Sequence, residues 1–106
     1  MSWTYLLLAA AFEICWAVGL EFTDGFSRPV PTALTVAAMA VSMLLLARAV
    51  ETLPIGTAYA VWTGIGAVGT AVAGVYLFGE PRSVSRFAFI ALIVVGVSGL
   101  KLTAGH

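Results

Sequence analysis

Four long runs of apolar residues alternate with three short polar stretches along the chain. Each run approaches the roughly 20 residues that an α-helix needs to cross a bilayer core of about 30 Å. The connections hold the prolines and most of the charged residues, which is typical of turns outside the hydrocarbon. The predicted spans are residues 2–20, 32–47, 57–78 and 84–102.

This pattern predicts an all-α integral membrane protein with four transmembrane helices in a single domain over residues 1–106. Short connections require antiparallel neighbours, so we expect an up-and-down four-helix bundle.

The composition supports this class and narrows the possible functions. Of 106 residues, 61% are hydrophobic and only 9% are charged, whereas a soluble domain is about 25% charged. The formal net charge is zero, so nothing indicates a nucleic-acid partner. Cys15 and His106 are the only cysteine and histidine, too few to predict a metal site. No nucleophile motif, phosphate-binding loop or dinucleotide fingerprint is present, so we expect neither an enzyme nor a cofactor.

One charge interrupts the first apolar run. Glu13 falls near the middle of this span, where a charged side chain costs about 2.5–3.5 kcal/mol on insertion scales. A carboxylate at that depth indicates a site for an ion, a proton or a substrate.

Aromatic residues accompany this carboxylate. Helical spacing places Trp16 on the same face as Glu13, and it places Tyr59 and Trp62 together on the third helix. A carboxylate with several rings suits a small organic cation, because each ring face adds about 0.5–2 kcal/mol of cation–π attraction. The alternative for Tyr59 and Trp62 is an interfacial belt or contact with lipid.

Small and polar residues inside the spans allow two interpretations each. Ser42 near the middle of the second span either bonds to a carbonyl of its own helix or bonds to Glu13 and fixes its orientation. Gly64 and Gly66 either permit close helix packing or let the third helix bend beside the site.

The fourth span carries small residues at near-helical spacing. Ala88, Gly96 and Gly99 suit close helix contact in lipid, so we predict that this helix forms a dimer interface. Lys101 in its last turn is expected to extend toward the lipid headgroups.

The loop charges favour neither membrane orientation. They place Arg48 and Lys101 on one side and Arg28, Arg82 and Arg86 on the other, and a difference of one charge gives no clear orientation. We therefore hypothesise that copies insert both ways round. Many transporters are built from two halves of inverted topology, and two copies inserted in opposite directions would supply both halves.

The sequence is similar to the small multidrug resistance family over essentially its full length. The resemblance rests on Phe12-Glu13, on Gly-Phe-Ser-Arg at residues 25–28, and on residues 53–66. Trp16 and Lys101 make it most similar to the guanidinium exporter subtype, since drug-exporting members typically have glycine at position 16. Two departures are Glu21, where many relatives have lysine, and Ala10, where several have glycine.

The resemblance implies an antiparallel, dual-topology homodimer in the bacterial inner membrane that exchanges protons for guanidinium. It implies that Glu13 of both protomers binds either substrate or protons, with protons as the coupling ion. It also implies that Trp16, Ser42, Tyr59 and Trp62 line the site and orient Glu13. The alternatives are a polyspecific exporter of quaternary ammonium cations and a non-transporting or heterodimeric subunit.

Overall fold

The computed structural model describes residues 2–103 as four helices joined by three short turns. The helices are α1 (Ser2–Phe22), α2 (Pro29–Ala49), α3 (Ile55–Phe78) and α4 (Val84–Thr103). All four are long and apolar enough to cross a membrane. Met1 and residues 104–106, which include His106, lie outside the described part of the chain.

Helix α2 begins earlier than its apolar run predicts. The sequence places Pro29 and Pro31 in the preceding turn, whereas both lie in the first turn of the helix. Proline is tolerated there because the first amide groups of a helix have no carbonyl partner within it. The apolar run therefore marks the part of the helix within the hydrocarbon and not its full length.

The turn between α1 and α2 is built around a buried threonine. The Thr23 hydroxyl donates to the Leu20 carbonyl at 2.8 Å and accepts from the Phe26 amide at 3.2 Å. Asp24, Gly25 and Phe26 all have positive φ angles, between 49° and 68°. These bonds and three left-handed residues reverse the chain within a few residues, so α1 and α2 lie side by side.

The turn between α3 and α4 is held by polar groups. Gly79 ends α3 in the left-handed conformation, and the Glu80 amide donates to the Gly74 carbonyl at 3.2 Å. The Glu80 carboxylate pairs with Arg86 of α4 at 2.6 Å, and Arg86 also donates to the Ala71 carbonyl at 3.3 Å. The first turn of α4 is thereby attached to the last turns of α3.

Helix α1 lies at the centre of the packed part of the protomer and contacts both α2 and α3. The buried residues where these three helices meet are mostly small or aliphatic, with one tryptophan. They are Leu6, Ala9, Ala10, Leu46, Ala49, Ala58, Val61 and Trp62. Small side chains let the helix axes approach closely, which is how helices associate in lipid.

Helix α4 does not close the predicted four-helix bundle. Its helix–helix packing is with α3, none of its residues is buried, and the protomer is flat, at 45 × 35 × 16 Å. Lipid tails are as apolar as the α4 side chains, so burial in a bundle offers little gain. Ala88, Gly96 and Gly99 are exposed, and a Cβ at either glycine would meet nothing within 4 Å.

The glycine pair of α3 is used for close packing. A Cβ at Gly64 would lie 2.6 Å from a methyl carbon of Val97 and 3.4 Å from one of Ile93, both on α4. The helix assignment continues without interruption through Gly64 and Gly66. Of the two interpretations of these glycines, close packing is the one visible in this protomer.

We expect Gly64→Ala to weaken the packing of α4 on α3, because the new methyl group would overlap Val97. Overpacking of this kind costs about 1–3 kcal/mol. Thermal unfolding in detergent measures the effect, with Gly56→Ala as the control, since a Cβ at Gly56 meets no atom within 4 Å. Equal unfolding temperatures for the two variants would contradict the packing role of Gly64.

Candidate functional site

The Glu13 side chain occupies the contact between α1 and α3. It lies near the middle of α1 and is half-buried, and its carboxylate rests against the backbone of Gly66 on α3. A Cβ at position 66 would overlap both the carboxyl carbon and its oxygens. With Glu13 in this position, glycine at residue 66 leaves room for the carboxylate, and a larger residue there would displace the Glu13 side chain.

Among residues 2–103, no polar group bonds to this carboxylate. Its Oε1 atom is buried and has no hydrogen-bond partner within residues 2–103. The one salt bridge in that range joins Glu80 and Arg86 at the end of α3. A buried anionic oxygen without a donor carries a large desolvation cost. The site therefore favours a species that neutralises the acid, either a proton or a cation.

Trp16 follows Glu13 by three residues on α1, and its indole nitrogen also lacks a hydrogen-bond partner among the described residues. Nε1 is buried and has no hydrogen-bond acceptor among the described residues. An acceptor oxygen and a donor N–H thus lie within about one helical turn of each other without a bond between them. The structure thus places these two predicted site residues in one region, where the carboxylate oxygen and the indole N–H have no partner within residues 2–103.

Ser42 does not bond to Glu13 as one interpretation of the sequence expected, nor does it bond to its own helix. Its hydroxyl donates to the Ala9 carbonyl of α1 at 2.6 Å and accepts from the Trp62 indole of α3 at 3.0 Å. The single hydroxyl proton is used by Ala9, so none remains for the carboxylate. Ala9 lies four residues before Glu13, which places this contact one turn away along α1.

Ser42 therefore links three helices at the level of the site. It is fully buried, as is Ala9, and Trp62 is only 8% exposed. Both polar groups of this junction, the hydroxyl and the indole N–H, are satisfied, and such a network holds helices in one arrangement. Through it, α2 and α3 are joined to the backbone of α1 one turn before Glu13.

Tyr59 and Trp62 remain neighbours, with ring centroids 5.6 Å apart at 46°. Their environments differ, because Trp62 is buried in the three-helix core while Tyr59 is 56% exposed. Within the described protomer, Tyr59 belongs to the outer surface of α3. Lys101 was expected at the headgroups, and its Nζ lies 4.9 Å from the centre of the Trp3 ring.

Two apolar grooves flank the Glu13 helix. One, of about 400 Å³, lies between α1 and α2, with Cys15, Gly19 and Thr35 among its lining residues. The other, of about 360 Å³, lies between α3 and α4 and reaches Ile14 of α1. Neither groove is lined by Glu13 itself. Within residues 2–103, no three His, Cys, Asp or Glu side chains are grouped closely enough to hold a metal ion.

The sequence named Gly66 as part of a bend and did not identify it as the residue against which Glu13 rests. It also did not identify the Ala9 carbonyl as the partner of Ser42. Both depend on the register between α1 and its neighbours, in which Ala9 lies near Trp62, Glu13 opposite Gly66, and Ile14 opposite Gly69. Spacing along one helix carries no information about that register.

Four membrane-length helices with an unpartnered acid at mid-span define a small multi-pass membrane protein with an intramembrane ionisable site. The family model for the Small Multidrug Resistance protein matches residues 1–93, and the chain belongs to this family. These findings make it a multi-pass protein of the bacterial inner membrane.

Several relatives carry the name guanidinium exporter. The chain is 58% identical over 103 residues to the one from Escherichia coli (strain K12), covering 97% of this chain and 98% of that protein. It is 56% identical over 104 residues to the one from Salmonella typhimurium, covering 98% and 99%. For the one from Citrobacter freundii the identity is 54% over 103 residues, with 97% and 98% covered. Exporters are transporters, so these names point away from an enzyme.

We expect Ser42→Ala to destabilise the junction of α1, α2 and α3, because the buried Trp62 indole N–H loses its acceptor. Leaving such a donor unsatisfied costs about 1–3 kcal/mol. Thermal unfolding in detergent tests this against Ser98→Ala, which alters an exposed serine on α4. A Ser42→Ala protein as stable as the Ser98→Ala control would mean that the junction contributes nothing.

Proposed function

We propose that the protein is a proton-coupled antiporter that exports guanidinium and small substituted guanidinium ions. The observation that carries this proposal is the Glu13 carboxylate, which lies at mid-span with a buried oxygen that has no partner in the described chain. The names of relatives at 54–58% identity support the choice of cation.

Guanidinium suits a carboxylate of this kind. The ion is planar and presents parallel pairs of N–H groups, so it can form two hydrogen bonds to one carboxylate. A delocalised cation is also more weakly hydrated than an ammonium ion, which lowers the cost of moving it to mid-span. Trp16 orients the acid in this proposal, because its free indole N–H can donate to a carboxylate oxygen.

Exchange follows from competition for the same acid. A proton and a guanidinium ion each neutralise Glu13, and binding of one removes the charge that attracts the other. If the protein changes its opening only when the acid is neutralised, export of a cation is tied to entry of protons. The Ser42 junction would keep the acid-bearing segment of α1 in place while the openings alternate.

An antiparallel homodimer completes the site in this proposal. The protomer is flat, and α4 exposes Ala88, Gly96 and Gly99 for contact with a second copy. Two opposed copies would bring two Glu13 side chains to a shared site, where they titrate as a coupled pair. The exposed Tyr59 ring would then face the partner's half of the site, and Trp62 would line it from within the core.

Helix α3 contacts both the acid on α1 and α4, the helix proposed to form the dimer. Gly64 contacts α4 and Gly66 contacts the acid on α1, so a bend of α3 between them would move the proposed dimer helix relative to the site. During alternating access in the dimer, α3 would bend one way in one protomer and the other way in its partner.

We expect Glu13→Gln to abolish guanidinium uptake into proteoliposomes with an acidic lumen, because the amide can take neither the proton nor the cation. Wild-type protein should accumulate guanidinium above its equilibrium level as protons leave the lumen. Glu51→Gln is the matched control, since Glu51 is an exposed carboxylate in the turn between α2 and α3. Proton-driven accumulation by Glu13→Gln would refute the mechanism, and its absence in wild type would refute the function.

The affinity for guanidinium is expected to fall as the pH is lowered, because protons convert the binding carboxylates to neutral acids. Raising the pH should increase the affinity until the acids are fully ionised and then leave it constant. Isothermal titration of detergent-solubilised protein measures this, and repeating it in buffers of different ionisation enthalpy detects the protons released. An affinity independent of pH, with no proton release, would exclude competition at Glu13.

A further inference from the structure

Thr70 of α3 holds a hydroxyl that its own helix does not use. Its Oγ1 is buried and has no hydrogen-bond partner within residues 2–103. A threonine in an apolar helix usually bonds to the carbonyl four residues earlier. Two others in this chain do so, Thr63 to the Tyr59 carbonyl at 2.7 Å and Thr103 to the Gly99 carbonyl at 3.0 Å. Thr70 differs from these two in having a buried hydroxyl without a partner among the described residues.

Thr70 lies close along α3 to the point where that helix contacts Glu13. Thr70 follows Gly66 by four residues, so it lies one turn further along the same face of α3, the face that the Glu13 carboxylate contacts. Helices α1 and α3 run in the same direction, because Glu13 meets Gly66 and Ile14 meets Gly69. One turn beyond this contact, Thr70 on α3 is level with Trp16 on α1.

The buried side-chain polar atoms that lack a partner within residues 2–103 fall into two groups. Those of Thr32 and Arg86 lie in the first turns of α2 and α4, near the ends of their helices. The other three belong to Glu13, Trp16 and Thr70, in the interior of α1 and α3. Three unsatisfied groups at this depth, within about one turn of one another, indicate a shared missing partner.

We propose that Thr70 is a further substrate-binding residue, whose hydroxyl oxygen accepts a hydrogen bond from an N–H group of the cation held by Glu13. The inference rests on the proposed function of the site. A carboxylate takes one edge of a guanidinium ion, and the N–H groups on the other edges then need acceptors. The Trp16 indole can only donate, whereas a hydroxyl oxygen has lone pairs to offer.

A hydrogen bond from the cation to Thr70 would raise the affinity of the site for the cation without raising its affinity for the proton. A proton neutralises Glu13 without filling the space around it, so it has no N–H group to offer Thr70. The protonated acid has a single O–H donor, which stays at the carboxyl group one turn away from Thr70, so in this proposal the bound cation is the species that reaches the hydroxyl. Thr70 therefore sets the affinity for cations with several N–H groups and leaves the proton affinity of the acid unchanged.

Thr70→Val tests this, because valine keeps the branched shape and removes the hydroxyl. We expect the Kd for guanidinium chloride, measured by isothermal titration in detergent, to rise about two- to tenfold, the effect of losing one hydrogen bond. The pH midpoint of the tryptophan-fluorescence titration of ligand-free protein should not move. Thr70→Ser should restore the wild-type Kd. The matched control Thr63→Val, which alters an exposed hydroxyl bonded within its own helix, should leave both measurements unchanged.

Three results would overturn the assignment. They are an unchanged Kd in Thr70→Val, a pH midpoint that shifts together with the Kd, and a failure of Thr70→Ser to restore binding. Should Thr70→Val not fold, Thr70→Ala is tested in its place under the same criteria. Failure of the proposed function is distinguishable, since wild-type protein would then not bind guanidinium or Glu13→Gln would still bind it.

Discussion

The contact between the Glu13 carboxylate and the Gly66 backbone is the constraint on which the rest of the structure depends. In this structure the acid fits between two helices because α3 presents no side chain at that point. It also leaves a buried oxygen without a donor, at a depth where ionisation alone is costly. The same contact places Glu13 opposite Gly66, and in the proposed function it is the place where a proton or a cation is bound.

Satisfied and unsatisfied polar groups divide the interior into two parts. The Ser42 hydroxyl, the Ala9 carbonyl and the Trp62 indole satisfy one another and hold three helices together. One turn further along α1, Glu13 Oε1 and Trp16 Nε1 have no hydrogen-bond partners among the described residues. A binding site needs residues that are held in fixed positions and polar groups that are free to bond to a ligand. The Ser42 junction is of the first kind, and the unpartnered atoms of Glu13 and Trp16 are of the second kind. Ser42 accordingly acts on the backbone of α1 and not on the carboxylate.

The apolar runs predicted the four helices and the depth of Glu13, because both depend only on transfer of side chains between water and lipid. They did not predict that Pro29 begins α2, since proline occurs in turns and in first helical turns alike. They also did not predict the open position of α4 or the partner of Ser42. Packing in lipid depends on which small residues face one another, and the uniform apolarity of these helices does not encode that choice.

The open position of α4 has a physical explanation that bears on function. In water, a helix as apolar as α4 would be driven into the core, but lipid removes that driving force and leaves van der Waals contact and polar bonds. In this protomer α4 is attached to α3 by the hydrogen bond from Arg86 to the Ala71 carbonyl at one end and by contact with Gly64 near its middle. Such a helix can rest against a second protein surface without first breaking a bundle. The flat protomer is therefore suited to a proposed dimer in which helices slide against one another while the Ser42 junction stays intact.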